Sequence, residues 1–371
     1  FINDKNRLQA PLIRKDGRLV ETDWEEALST AVGLMKDAGS RSAGLISPKT
    51  VNEAAYLFSK LLKGIGAVGC DCSVEKTSAD AEVKLAEALR EELFDGAITD
   101  IVKSDLLIVC GSDISAELPV LDLWIKKAVR RNGSKLILIG CEGSRLANYA
   151  QESLPDGLES LVEAVKSAEK SERALIMISQ RLLEISPNYM DVLDALKKAK
   201  SGWRLVKTMM LACAANSMGM LEIGACWGTP GSEIIKSASE GNIGALWIAG
   251  LDPAGSNEKY AEPLSNLSTL IVQDMFLTKT AELAHVVLPA SSFAEASGTI
   301  INTERRLQRI NPAIRKLHGS LTDIEIFARA LGEDDKTAEE IFTEITQNVS
   351  SLSGITLDKI GRQGIRIGGR R

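Results

Sequence analysis

The stretch IVQDMFLTKTAELAHVVLPASSFAEASGTIINTERRLQR, from Ile271 to Arg309, decides how this chain folds. Residues 269–273 (TLIVQ) and 285–288 (HVVL) are short β-branched runs of the kind that form buried strands, and residues 278–283 between them have helical character. Together they predict a β-α-β crossover. Asp274, Thr278, Thr280, Glu295, Ser297, Thr299, Asn302, Thr303, Glu304, Arg305 and Arg306 then crowd the strand ends with more hydrogen-bonding groups than a connection needs. A polar ligand is expected at that edge, with residues 290–309 as a polar loop.

The same alternation extends along the chain. Continuous apolar runs at 43–47, 105–110, 135–140, 173–179 and 245–249 are also strand candidates, and runs of this kind are covered on both faces, as in parallel sheets flanked by helices. Helical patterns lie between them at 24–38, 52–65, 78–93, 119–131, 157–168, 190–199, 231–238 and 323–331. Thr22 and Glu25 have capping-box spacing at the first of these. The prediction is an α/β protein with two doubly wound, mostly parallel sheets of Rossmann-like topology. Its expected divisions are an opening segment and first helix (1–40), a first α/β domain (41–170), a second that contains the polar loop (171–335), and a C-terminal helix with a basic tail (336–371).

With 371 residues and 44% apolar content, the chain can build one or two large cores without a disulfide or metal staple. A formal charge of −6 argues against a nucleic-acid partner and a basic membrane-binding face. No apolar run reaches the roughly 20 residues needed to span a bilayer, and no signal-peptide pattern is present, so a cytoplasmic chain without membrane insertion is expected.

Of the six cysteines, only Cys70 and Cys72 are close in sequence, and a lone C-x-C cannot supply the three or four thiolates of a cluster or structural zinc. Cys110 and Cys141 follow strand-like runs where a small thiol packs well. Two readings stand for Cys70 and Cys72: buried free thiols, or a redox or metal-ligand role.

A weak internal repeat links LIVCGSD (107–113) to LWIAGLD (246–252). In both, a strand runs into Gly-x-Asp, where glycine allows a sharp turn and close approach to a ligand and aspartate can accept hydrogen bonds. Gly111, Ser112, Asp113, Gly250 and Asp252 are then either capped turns or two related nucleotide-facing corners, one per sheet.

The Ile271–Arg309 run resembles the C-terminal half of the molybdopterin oxidoreductase domain. That family includes formate dehydrogenase catalytic subunits and the large iron–sulfur subunit of NADH–quinone oxidoreductase, respiratory complex I. Arg7-Leu8, Pro11 to Arg14, Trp24 to Leu28, Gly44 to Ser47, Asn52-Glu53, Asp105 to Gly111 and Gly250 to Pro253 continue the resemblance in family order, over about 300 of 371 residues. It implies that the two corners hold the nucleotide ends of molybdopterin guanine dinucleotides. On that implication Gly111, Ser112, Asp113, Gly250, Asp252, Gln273, Asp274 and Thr278 form the binding edge, and Asn302, Glu304 and Arg305 add polar and cationic contacts. An ion pair between Glu304 and Arg305 that pins the loop is the alternative.

The chain also departs from the catalytic members. Where they place a metal ligand followed by His or Pro, it has VGCDCSVEKT (68–77), and its only histidines are His285 and His318. An oxidation site without a nearby imidazole lacks an obvious proton acceptor at neutral pH. His285, on an apolar strand, reads as a packed core residue. Cys141 to Arg145 stands where the family has Asp-Pro-Arg, residues 157–211 are short, and no cap domain follows the helix at 338–349. The tail at 362–371 is either a disordered terminus or docks on an acidic surface.

The resemblance therefore implies a scaffold domain without its own catalytic residues or metal, in a subunit that carries electrons from NADH to quinone. Iron–sulfur clusters are expected in a segment before Phe1, and the partners are that segment and other subunits at the inner face of a membrane. The alternatives are a formate-dehydrogenase-like catalytic domain with bound molybdopterin guanine dinucleotide, and a nucleotide-binding module without a redox role.

Overall fold

The structure is a computed structural model that describes residues 2–141, 143–168, 171–202, 205–316, 319–333 and 336–368; His318 lies outside them. Its strands are β1 Leu12–Lys15, β2 Arg18–Glu21, β3 Ser42–Ile46, β4 Gly69–Asp71, β5 Leu106–Cys110, β6 Lys135–Ile139, β7 Glu152–Leu154 and β8 Ala174–Ser179. They are followed by β9 Val206–Leu211, β10 Trp227–Gly228, β11 Ala245–Ala249, β12 Thr269–Asp274, β13 Val286–Pro289, β14 Gly298–Ile301, β15 Arg306–Ile310 and β16 Ile365–Arg366.

The chain divides into two compact units. The first takes residues up to 79, 219–300 and 307–365; the second takes 80–218, 301–306 and the chain from 366. The first is built on an eight-stranded sheet of order β10-β4-β3-β11-β12-β13-β1-β2. Its centre, β4 through β13, is parallel, and β10, β1 and β2 are antiparallel additions at the edges. The central strands are buried along nearly their whole length, as parallel strands covered on both faces must be.

Alternation along these strands makes two cores. On one face Ala43, Leu45, Leu246, Ile248, Leu270, Val272 and Val287 pack together. On the other, Trp247 stands opposite Gly44 and Ile271. A Cβ at Gly44 would come within 2.8 Å of the Phe58 ring, so the missing side chain makes room for Phe58, Trp247 and Phe327, whose ring centroids lie 4.7–6.0 Å apart. Phe58 is on helix Asn52–Ile65 and Phe327 on helix Asp323–Leu331.

The second unit is a parallel five-stranded sheet of order β7-β6-β5-β8-β9. Leu107, Val109, Leu136, Leu138, Leu175 and Met177 form its core with Leu121 and Ile125 of helix Pro119–Asn132.

Two parallel-centred α/β sheets are what the strand-helix alternation predicts, but the division of the chain is corrected. Strand β3 pairs with β11, with Leu45 opposite Ile248, so residues 42–79 share a sheet with 245–289 and not with 106–179. The boundaries expected at 40, 170 and 335 are not those of the two units. Pairing in a doubly wound sheet follows burial rather than sequence proximity, which a linear reading does not see. The first helix is Trp24–Ala38 as expected, but its N-cap is Asp23, which accepts from the Glu26 amide, and Thr22 donates to the Glu26 carboxylate. The box is shifted by one residue because Asp23 competes for the cap. The polar loop 290–309 instead contains β14 and most of β15.

Candidate functional site

Sequence reasoning named eleven cofactor-binding residues, and the structure distributes them between the units. In the first unit, β11 ends at Gly250, whose φ of +68° turns the chain sharply and whose amide donates to the Gln273 carbonyl at 2.8 Å. Two residues on, Asp252 caps the short helix Pro253–Ser256 by accepting from the Gly255 amide at 3.0 Å. The same carboxylate oxygen, Oδ1, accepts from the Thr280 amide at 2.9 Å and the Thr280 hydroxyl at 2.7 Å. Thr278 caps helix Lys279–Leu283 through its hydroxyl, which accepts from the Ala281 amide.

The expected anion position at that helix start is therefore filled from within, by the carboxylate of Asp252. Its attraction to the helix N-terminus is the interaction foreseen for a ligand.

Gln273 and Asp274 end β12. Gln273 is fully buried; its amide nitrogen donates to Asp323 at 2.6 Å, and its Oε1 has no hydrogen-bond partner among the described residues. Asp274 accepts from the Phe276 amide at 3.2 Å. Burial raises its carboxyl above the usual range, and the charge of Asp252 adds to this. Burial likewise pushes Asp323 up to about 6, against the lowering effect of its hydrogen bond from Gln273. Among the described residues no lysine or arginine forms an ion pair with Asp252, Asp274 or Asp323. The corner thus gathers carboxylates.

In the second unit, Gly111 ends β5 with a φ of +70°. The Ser112 hydroxyl donates to Glu117 at 2.9 Å, and Asp113 precedes helix Ile114–Glu117 without a side-chain cap, leaving its buried Oδ1 without a partner among the described residues. Asn302, Glu304 and Arg305 form a tight turn in which Asn302 Oδ1 accepts from the amides of Glu304 and Arg306. Glu304 accepts from the Ile98 amide at 3.0 Å and pairs with Arg306 at 2.6 Å. The ion pair of this loop is thus Glu304–Arg306, not Glu304–Arg305. Arg305 takes a left-handed φ of +58°, and its buried guanidinium donates to the Leu89 carbonyl at 2.7 Å.

As arranged, these residues fit a pyrophosphate-linked pterin poorly. A diphosphate needs free amides or exposed cations, whereas the helix start is capped by Asp252 and Arg305 is turned into the protein. The stretch expected to carry a metal ligand is folded upon itself: Asp71 pairs with buried Lys76 at 3.4 Å and accepts from the Gly231 amide at 2.7 Å. Cys70 lies buried in β4, where burial holds its thiol well above the ordinary range. Cys72 Sγ lies within 4.8 Å of Cys226 Sγ, and the neighbouring Cys72 and then burial raise the Cys226 thiol above the ordinary range.

His285 is half-buried, and its Nδ1 accepts from the Leu270 amide at 3.0 Å. Burial and then Arg14 lower its pKa, so the imidazole is a neutral part of the β12–β13 packing. Sequence reasoning missed Asp323, Glu53 and the meeting of Cys72 with Cys226. Glu53 is fully buried, receives hydrogen bonds from the Thr299 amide and hydroxyl at 2.8 Å, and is pushed by burial up to about 7. Only an acidic residue within an otherwise apolar helical face could have signalled it. A cavity of about 650 Å³ in the first unit, bordered by Arg315, Lys316 and Lys336, includes none of the predicted cofactor residues.

Similarity to known proteins agrees with this geometry at the level of the fold. Acetylene hydratase from Pelobacter acetylenicus superposes with a TM-score of 0.65 at 15% identity, over 99% of this chain and 67% of that one. An NADH-quinone oxidoreductase subunit from Rhizobium meliloti is 27% identical, covering 98% of this chain and 52% of the relative. The F420-dependent formate dehydrogenase 1 subunit alpha of Methanococcus maripaludis is 25% identical, covering 98% of this chain and 68% of the relative. The chain thus spans about half the length of the first of these relatives and two thirds of the second. The family model for molybdopterin oxidoreductase matches residues 7–333, and on that match the chain belongs to the molybdopterin oxidoreductase family.

Proposed function

We propose that this chain is the molybdopterin-oxidoreductase-fold domain of a subunit of an NADH–quinone oxidoreductase complex, where it serves as a scaffold with a vestigial cofactor cradle. The observation that carries this reading is the engagement of the cradle's own groups: Asp252 occupies the helix start with Thr280, and Arg305 is committed to the Leu89 carbonyl. Electrons then pass through iron–sulfur clusters outside these residues, and the folded sheets position partner subunits. Among the described residues no helix is long and apolar enough to cross a membrane, so attachment to the inner face of a membrane would run through those partners.

A second reading, a catalytic domain of formate-dehydrogenase type, draws on the unpartnered acceptors Gln273 Oε1 and Asp113 Oδ1. Buried acceptors without donors are costly, and the donor edge of a guanine base would satisfy them. Elemental analysis of the anaerobically purified complex, with pterin extraction from this subunit, separates the two. Molybdenum, tungsten and pterin far below one per chain are expected; one pterin with one metal per chain would overturn the scaffold reading.

A further inference from the structure

We propose that Cys72 and Cys226 form an oxidative modification site, a buried dithiol that closes to a disulfide across the edge of the first unit's sheet. It stands apart from the strand-end cradle and from the scaffold proposal. At this edge β4 and β10 run antiparallel, with Trp227 opposite Cys70 and Gly228 opposite Gly69. Cys72 follows β4 and Cys226 precedes β10, so the two meet where the paired strands part. The sulfurs of Cys72 and Cys226 and a carboxylate oxygen of Asp71 lie within 4.8 Å of one another. Both cysteines are nearly buried, 8% and 6% exposed, so the oxidant proposed is confined to a small one and exchange with a bulky disulfide is excluded.

The same cluster has the residue types of a metal site, and its charges decide between the two. The Asp71 carboxylate already accepts from the Cys72 amide at 2.6 Å and the Gly231 amide at 2.7 Å, and it pairs with Lys76 at 3.4 Å. A metal cation bound there would sit against a buried ammonium and compete for a carboxylate whose two oxygens are both engaged. Disulfide formation leaves the Lys76–Asp71 pair intact and adds no charge.

The oxidant is hydrogen peroxide. The Cys72 thiolate sulfur attacks one peroxide oxygen; an S–O bond forms, the O–O bond breaks, and the departing hydroxide takes up the thiol proton as water. The Cys226 sulfur then attacks Cys72 Sγ, the S–O bond breaks, and the second hydroxide leaves with the Cys226 proton as water. Two thiols lose two electrons, and one peroxide gains them.

Treatment of the reduced, folded full chain with hydrogen peroxide, followed by alkylation in denaturant and peptide mapping, tests this. The expected result is the loss of two alkylatable thiols from six, a link between the peptides holding Cys72 and Cys226, and reversal by dithiothreitol. Fragmentation between Cys70 and Cys72 assigns the link; Cys70→Ser should keep it, and Cys72→Ser or Cys226→Ser should lose it. The wild-type map stands even where a variant fails to fold. Six thiols still alkylatable, a link to another cysteine, or stoichiometric zinc capture that shields both thiols would each overturn the proposal.

Discussion

The corners at Gly111 and Gly250 begin from nearly the same sequence and end with their aspartates differently engaged. Both glycines adopt the same left-handed backbone, with φ of +70° and +68°, and both follow a buried parallel strand. After Gly250, Asp252 is drawn into a cap and a pair of bonds with Thr280, a residue of the β12–β13 crossover. After Gly111, Asp113 finds no such donor among the described residues and keeps a buried oxygen unpartnered there. The turn is thus set locally by glycine, whereas the availability of the aspartate is set by the element packed beside it. A Gly-x-Asp motif marks the corner and leaves its occupant undecided.

Replacement of the two aspartates should separate the corners most clearly. Asp252→Ala removes a cap and the acceptor of two Thr280 donors, and should cost about 3 kcal/mol of unfolding free energy in denaturant titration. A loss under about 1 kcal/mol would mean that the capped corner is no better satisfied than its counterpart.

The next largest effect should be pH-dependent, with Asp323 of the first corner as one of its sources. Asp323 has a folded pKa of about 6, above its unfolded value of about 3.9. Between these values the folded state holds more protons, so stability present at low pH is lost as pH rises toward 6, by about 1.4 kcal/mol for each unit that separates the two pKa values. Glu53, at about 7, adds to the same slope, so the readout is the difference between wild type and Asp323→Asn. Parallel stability curves for the two would remove Asp323 as the cause.

Side chains at the glycines should produce a smaller contrast. A Cβ at Gly111 would lie 2.8 Å from Leu182 Cδ2, and one at Gly250 would lie 3.1 Å from Ser47 Cβ. Both alanine variants bear the left-handed penalty, and Gly111→Ala should be the worse by about 1 kcal/mol in thermal or chemical unfolding. Equal losses would show that backbone strain alone sets the cost.

Asp113→Ala should change stability least, within about 0.5 kcal/mol, because the group removed has a buried oxygen that receives no bond. A loss above about 2 kcal/mol would point to a donor that satisfies Asp113 in solution.

Much of the fold was legible because buried parallel strands write themselves as unbroken apolar runs. Ala245–Ala249 and the helices Trp24–Ala38, Asn52–Ile65 and Asp323–Leu331 have the bounds expected from period and caps. Strand β9 escaped notice because Lys207 and Thr208 interrupt its apolar run, although Thr208 is buried with its hydroxyl bonded to the Leu93 carbonyl. The candidate site was legible as a set of residue types and not as a set of free groups. Thr278, Asp252 and Arg305 are where a ligand would want them in sequence, yet each is engaged by a protein partner.

Composition and period alone determined the α/β class, the β12–β13 crossover and the glycine turns, because these depend on neighbours within a few residues. Tertiary structure decided that β3 would pair with β11, that Asp252 would fill the helix start, that Glu304 would pair with Arg306, and that Cys72 would meet Cys226. Each joins groups whose partners are chosen by packing and desolvation. Those forces act through space, and separation along the chain carries almost no record of them.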